Sequence, residues 1–100
     1  MNIQITSRKF KAKESLKTEI TDHLNSLNKF NDEILDDNVI LSYTHLKDSI
    51  KTVEINLGIP GKIFTAEESS DDFSKALVKT ISKLEKQLKT LKSKRKSKAR

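Results

Sequence analysis

The hydrophobic period of this 100-residue chain runs from two to about 3.6, back to two, and to 3.6 again, and that alternation limits the folds open to it. Ile3 and Ile5 alternate with Gln4 and Thr6, which predicts a short strand with one buried face. Leu16, Ile20, Leu24, Leu27 and Phe30 then recur at spacings of four and three, predicting an amphipathic helix from about Lys13 to about Lys29. Period two returns three times, in Val39, Leu41 and Tyr43, in Val53, Ile55 and Leu57, and in Phe64 with Ala66. Finally Phe73, Leu77, Ile81, Leu84, Leu88 and Leu91 step by four and three along a single stripe, the mark of a long second helix.

The punctuation between these segments fits. Asn31 to Asn38, with Asp32, Glu33, Asp36 and Asp37 among its asparagines, reads as a solvated connection. Asp48 and Ser49 predict a turn after the second strand, and Gly58, Pro60 and Gly61, the only Gly and Pro in the chain, predict one after the third. Ser42, Thr44, Thr52, Glu54, Asn56 and Thr65 occupy the opposite parity, so one sheet face is expected to be wet. Ile40, Leu46 and Ile63 stand outside this pattern. The economical solution is an α+β fold of order β-α-β-β-β-α, a four-stranded sheet with both helices packed on its apolar face and its first two strands parallel. Residues 1–92 are expected to form one domain, and residues 93–100 a basic, flexible tail.

Charge is divided unevenly along this frame. Residues 86–100 hold eight Lys or Arg and no acid, whereas residues 1–85 carry twelve basic and fourteen acidic side chains, for a net charge of +6 overall. On the last helix, Lys75, Lys79, Lys86 and Lys89 fall roughly opposite Leu84, with Lys83 at their flank, which predicts a basic ridge facing away from the sheet. Lys92, Lys94, Arg95, Lys96, Lys98 and Arg100 continue the run with only Ser and Ala between them. Like charges this dense repel unless a polyanion neutralises them, so RNA, DNA or an anionic membrane is the implied partner. Arg8, Lys9, Lys11 and Lys13 form a second cluster before the first helix, where lysine opposes the helix dipole and Lys13 is a poor N-cap.

Other chemistries find little support in the residues. The absence of Cys removes disulfides, thiol catalysis and Cys-based zinc sites. No apolar run suits a signal peptide or a transmembrane helix, so a soluble, cytoplasmic protein is expected. His23 and His45 are isolated, there is no glycine-rich phosphate loop, and no enzymatic activity, cofactor or metal is expected. Glu67, Glu68, Asp71 and Asp72 read as acids leading into a helix N-terminus, with Ser69 or Ser70 as cap, rather than as ligands of a hard cation. Tyr43 and Phe64 share the buried parity, so the open sheet face has no aromatic platform, and recognition by phosphate contacts and shape is expected. A membrane anchor would need a second, apolar signal, and the helix stripe is already committed to the sheet.

The string Ala66, Glu67, Glu68, then Asp72, Phe73, Ala76 and Leu77, then Lys83, Leu84, Lys86, Gln87, Leu88, Lys89, Lys92 and Lys94 resembles the ribosome hibernation promoting factor family, also called ribosome-associated inhibitor A. Ile3, Ile5, Leu16, Lys17, Leu27, Lys29, Phe30 and Asp32 are similar to its first strand and helix. The resemblance implies a fold like that of double-stranded RNA binding domains and a non-enzymatic role on the 30S subunit and the 70S ribosome. There the protein would occupy the decoding channel on 16S rRNA, block messenger RNA and A- and P-site tRNA, inhibit translation and preserve idle ribosomes. Lys83, Lys86, Lys89, Lys92 and Lys94 match the family's basic positions, with Arg8, Lys9 and Lys17 in support, while Thr90 and Leu91 depart from it. Lys75, Lys79, Arg95 and Lys96 join the expected rRNA-binding set through the ridge and its continuation. The resemblance implies a short form without the second domain of long members, monomeric off the ribosome, with neither a membrane nor a small-molecule substrate as partner. The alternative is a general RNA- or DNA-binding module with no preference for ribosomes.

Overall fold

The computed structural model describes residues 2–31, 33–43 and 50–98, residues 92–98 by backbone path alone. Its elements run β1 (Asn2–Ser7), α1 (Glu14–Leu27), β2 (Asp36–Tyr43), β3 (Lys51–Ile59), β4 (Lys62–Ser70) and α2 (Phe73–Lys98). The four strands form one sheet in the order β1-β2-β3-β4. β1 lies parallel to β2, and the remaining pairs are antiparallel. The expected turn at Asp48 and Ser49, together with Leu46 and His45, falls outside the described residues.

Side-chain alternation decides which face is covered. Val39, Leu41, Val53, Ile55, Leu57, Phe64 and Ala66 are buried from the sheet, and Ile20, Leu24, Leu27, Leu77, Ile81, Leu84 and Leu88 are buried from the helices. These residues form a single core, with Ile3, Ile5, Leu16, Phe30, Phe73 and Leu91 packed at its margin. The opposite face carries short polar bridges: Thr52 pairs with Ser69 at 2.8 Å, Thr65 donates to Asn56 at 2.7 Å, and Asn56 donates to Glu54 at 3.1 Å. Ile40 and Ile63 belong to this polar side, Ile40 half-buried and Ile63 69% exposed.

Four readings of the sequence need correction. The Asn31–Asn38 segment is not wholly solvated, because Ile34 is buried and β2 already begins at Asp36. Register sets Asp37 between Ile3 and Leu57 on the covered face, where it is 1% exposed. Gly58 lies inside β3 opposite Asp36 and Ile63, since buried Ile59 carries the strand one residue further, and Pro60 and Gly61 alone make the turn. Gly61 holds φ +78° there, a conformation that costs glycine nothing.

The fourth concerns α2. Ser69 and Ser70 belong to β4, and Asp72 performs the capping instead, its Oδ1 accepting the Ser74 N–H at 3.0 Å. The helical path of α2 continues to Lys98. Lys, Arg and Ala favour helix, and cations suit a helix C-terminus, so the charge run extends α2 beyond its last apolar stripe residue, Leu91. The helix is therefore about 39 Å long at 1.5 Å per residue.

Candidate nucleic-acid interface

α2 turns the candidate cations outward because its apolar stripe is held against β3, β4 and α1. Thr80 fixes the middle of that contact. It is fully buried, and its hydroxyl is shared between Ala76 O at 2.8 Å and Val53 O at 3.3 Å on β3. With this face inward, Lys75, Lys79, Lys83, Lys86 and Lys89 are all exposed. Between Lys75 and Lys89 the ridge covers about 21 Å of helix.

The ridge is not electrostatically uniform. Lys75 pairs with Asp71 at 3.3 Å, and Lys83 pairs with Glu68 on β4. The hydrogen bond from Lys83 lowers the Glu68 pKa below the ordinary carboxylate value, and that from Lys75 does the same for Asp71. Lys89 lies over the Phe30 ring, its Nζ 5.1 Å from the centroid. Lys79 and Lys86 make no ion pair with the described residues. The backbone path of α2 carries Lys92, Lys94, Arg95 and Lys96 onward from this ridge. Lys17, on α1, pairs with Glu14 at 3.7 Å.

Arg8 and Lys9 are exposed in the loop between β1 and α1, at the opposite end of the molecule from the end of α2. The loop is pinned by Arg8 N–H to Leu41 O at 2.9 Å. Phe10 stacks on Phe73 at 5.3 Å and meets Tyr43 edge-on at 5.2 Å. Lys9 adopts φ +66°, a left-handed conformation that a Cβ-bearing residue occupies only at a cost. Lys13 is the N-cap of α1 and supplies no side-chain cap bond. Beside it Lys11, Lys13 and Lys51 line a cleft of about 500 Å³, together with Glu19 and Asp72. The fold thus brings the α2 lysines into one ridge and leaves Arg8 and Lys9 as a separate patch at its start.

The acids that precede α2 do not converge. Neighbouring strand residues point to opposite faces, so Glu67 is exposed while Glu68 meets Lys83. No cluster of metal-ligating side chains occurs among the described residues. His23 is half-buried on α1. Two features escaped the sequence. Lys62, just after the Pro60–Gly61 turn, reaches the same groove as Lys86, which only the packing of β4 beside α2 reveals. Asp37 is buried, neither carboxylate oxygen is hydrogen-bonded to a described residue, and burial pushes its pKa up to about 6. Its parity with Val39 and Leu41 was the available sign.

A four-stranded sheet that backs a long helix with an exposed lysine ridge defines a small α+β domain with one strongly basic helical face. Residues 3–96 match the family described as Sigma 54 modulation protein / S30EA ribosomal protein, and the chain belongs to that family. A curated relative, the ribosome hibernation promotion factor of Deinococcus radiodurans, is 29% identical over 92 residues, covering 90% of this chain and 48% of the relative. The chain thus spans about half the length of that relative. Among solved structures, a ribosomal subunit interface protein from Coxiella burnetii superposes with a TM-score of 0.84 at 29% identity, covering 93% of this chain and 99% of that one. The N-terminal domain of Thermus thermophilus Protein Y gives a TM-score of 0.80 at 25% identity, with 91% and 99% covered. The order β-α-β-β-β-α and its mixed sheet are those of ribosomal subunit interface proteins.

Proposed function

We propose that this chain is a ribosome hibernation factor that binds 16S rRNA in the decoding channel of the small subunit. There it blocks messenger RNA and A- and P-site tRNA, inhibiting translation and preserving idle ribosomes. The observation that carries the reading is the outward ridge of Lys75, Lys79, Lys83, Lys86 and Lys89, all exposed on the one helix that also anchors the core. Family membership and the names of its relatives, a ribosome hibernation promotion factor and a ribosomal subunit interface protein, support it.

The mechanism is occupancy rather than catalysis. A helix rigidly backed by a sheet presents its ammonium groups at fixed spacing, so little order is lost when phosphates replace their counterions. Such contacts position the protein without reading sequence, which suits a target of fixed shape. Lys79 and Lys86 act as the primary phosphate contacts, because Lys75 and Lys83 must first share or release a carboxylate. Arg8, Lys9 and Lys17 support from the β1–α1 side, and Lys89, Lys92, Lys94, Arg95 and Lys96 extend the contact along α2.

Competition on purified small subunits tests this. Pre-bound protein is expected to exclude both a messenger fragment and P-site tRNA, and to lower translation in a reconstituted system. Simultaneous binding of protein, messenger and tRNA would contradict the channel assignment.

A further inference from the structure

A groove lies between the β3–β4 turn and the C-terminal half of α2. Its volume is about 460 Å³, and Lys62, Ile63 and Phe64 of β4 line it together with Lys86, Gln87 and Leu91 of α2. This lining holds two cations and no acid. The cleft at the start of the helices differs, because Glu19 and Asp72 stand there among the lysines.

Each part of the groove has a definite chemical character. Lys62 lies across the Phe64 ring, its Nζ 4.9 Å from the centroid, a contact that favours its ammonium on the groove side. Lys86 is exposed and has no ion pair among the described residues. Gln87 gives one N–H to Thr65 O at 3.4 Å, and no described residue donates to its Oε1. Ile63, whose side chain by strand parity belongs to the open sheet face, stands at the rim of the groove and is 69% exposed, the most exposed large apolar side chain among the described residues. Two neighbouring cations would suit the phosphates of a regular duplex, yet a duplex backbone would leave Leu91 and the Ile63 rim uncovered. A base turned out of its stack brings both a flat apolar face and edge donors beside its phosphate.

We infer that this groove takes a single unpaired nucleotide of the ribosomal RNA. Its phosphates lie on Lys62 and Lys86, its base lies against Leu91 with Ile63 at the rim, and its edge is within reach of the Gln87 amide. The inference rests on the ribosome-bound reading above and adds Lys62 and Ile63 to the interface.

Photocrosslinking tests it directly. Benzoylphenylalanine in place of Ile63 disturbs no core contact, and the substituted protein is bound to small subunits, irradiated, and its RNA mapped by primer extension. A single strong stop at an unpaired nucleotide of 16S rRNA is the expected result. Alongside, Ile63→Ser lowers affinity for subunits roughly fivefold without altering the salt slope, whereas Lys62→Ala reduces that slope by about one. Intact pelleting with no RNA crosslink, or with crosslinks scattered over duplex segments, overturns the groove assignment and leaves the ribosome reading standing. Tight binding of free AMP or GMP with no RNA crosslink names a soluble nucleotide as occupant and likewise overturns it. Failure of the unmodified protein to pellet with subunits overturns both.

Discussion

Asp37 is a residue whose environment works against its charge. It is 1% exposed, sits in a row with Ile3, Leu57 and Phe64, and neither carboxylate oxygen has a hydrogen-bond partner among the described residues. Burial raises its pKa from 3.8 to about 6, so the folded chain holds this proton more tightly than the unfolded one. Stability contributed by the protonated form is therefore present below the ordinary pKa of 3.8, and it is lost as pH rises through about 6. At neutral pH the cost is of the order of 2–3 kcal/mol. Denaturant unfolding should show the protein less stable at pH 7.5 than at pH 5. Asp37→Asn should remove most of that slope and gain about 1–3 kcal/mol at pH 7.5. A variant no more stable at pH 7.5, with its slope intact, would mean the carboxylate is solvated or paired after all. The residue was unreadable from composition, since four acids between two asparagines look solvated, and only strand parity argued otherwise.

Each helix divides its residues between those that hold the fold and those proposed to meet the ribosome, and substitution should separate the two roles. Leu84 is fully buried in α2, so Leu84→Ala should cost about 2–5 kcal/mol in chemical denaturation. Lys86→Ala leaves the core untouched and should leave stability within about 0.5 kcal/mol while weakening binding to small subunits. Among ridge residues, Lys79→Ala and Lys86→Ala should reduce affinity more than Lys75→Ala and Lys83→Ala, because the latter lysines are shared with Asp71 and Glu68. Equal losses at all four positions would mean the ion pairs open freely on binding. In α1, Lys13→Ser should supply the missing cap and raise stability by about 1 kcal/mol in thermal unfolding. The elements themselves were legible because period and parity report which side is buried: the stripe from Phe73 to Leu91 and the alternation of Val53, Ile55 and Leu57 both sit where their spacing puts them. What spacing cannot report is contact between elements. The Lys75–Asp71 pair is an i,i+4 relation open to inspection, but Lys83 meeting Glu68, and Lys62 sharing a groove with Lys86, depend on β4 lying beside α2.

At the scale of the whole molecule, charge is sorted by face. The lysines crown α2, whereas Glu54 and Glu67 lie on the open sheet among hydroxyls and amides that bond one another. A polyanion is therefore attracted to one side and repelled from the other, which orients the protein before contact. Arg8 and Lys9 mark the start of this face, and the C-terminal turns of α2 carry it past the end of the apolar stripe. The sorting was half legible: the +8 of residues 86–100 stands out in the chain, but the separation of the Arg8 and Lys9 patch from it follows only from the direction of α2. If six or more phosphates are engaged, affinity for the small subunit should fall by roughly three to five decades between about 50 and 200 mM salt, by analogy with duplex DNA. The central claim, that the ridge recognises the shape of an assembled ribosomal particle, is tested most directly by co-sedimentation with purified small subunits and with free duplex RNA across that salt range. Selective pelleting with subunits that weakens steeply with salt is the predicted result, and equal retention by free duplex, or a flat salt response, would contradict it.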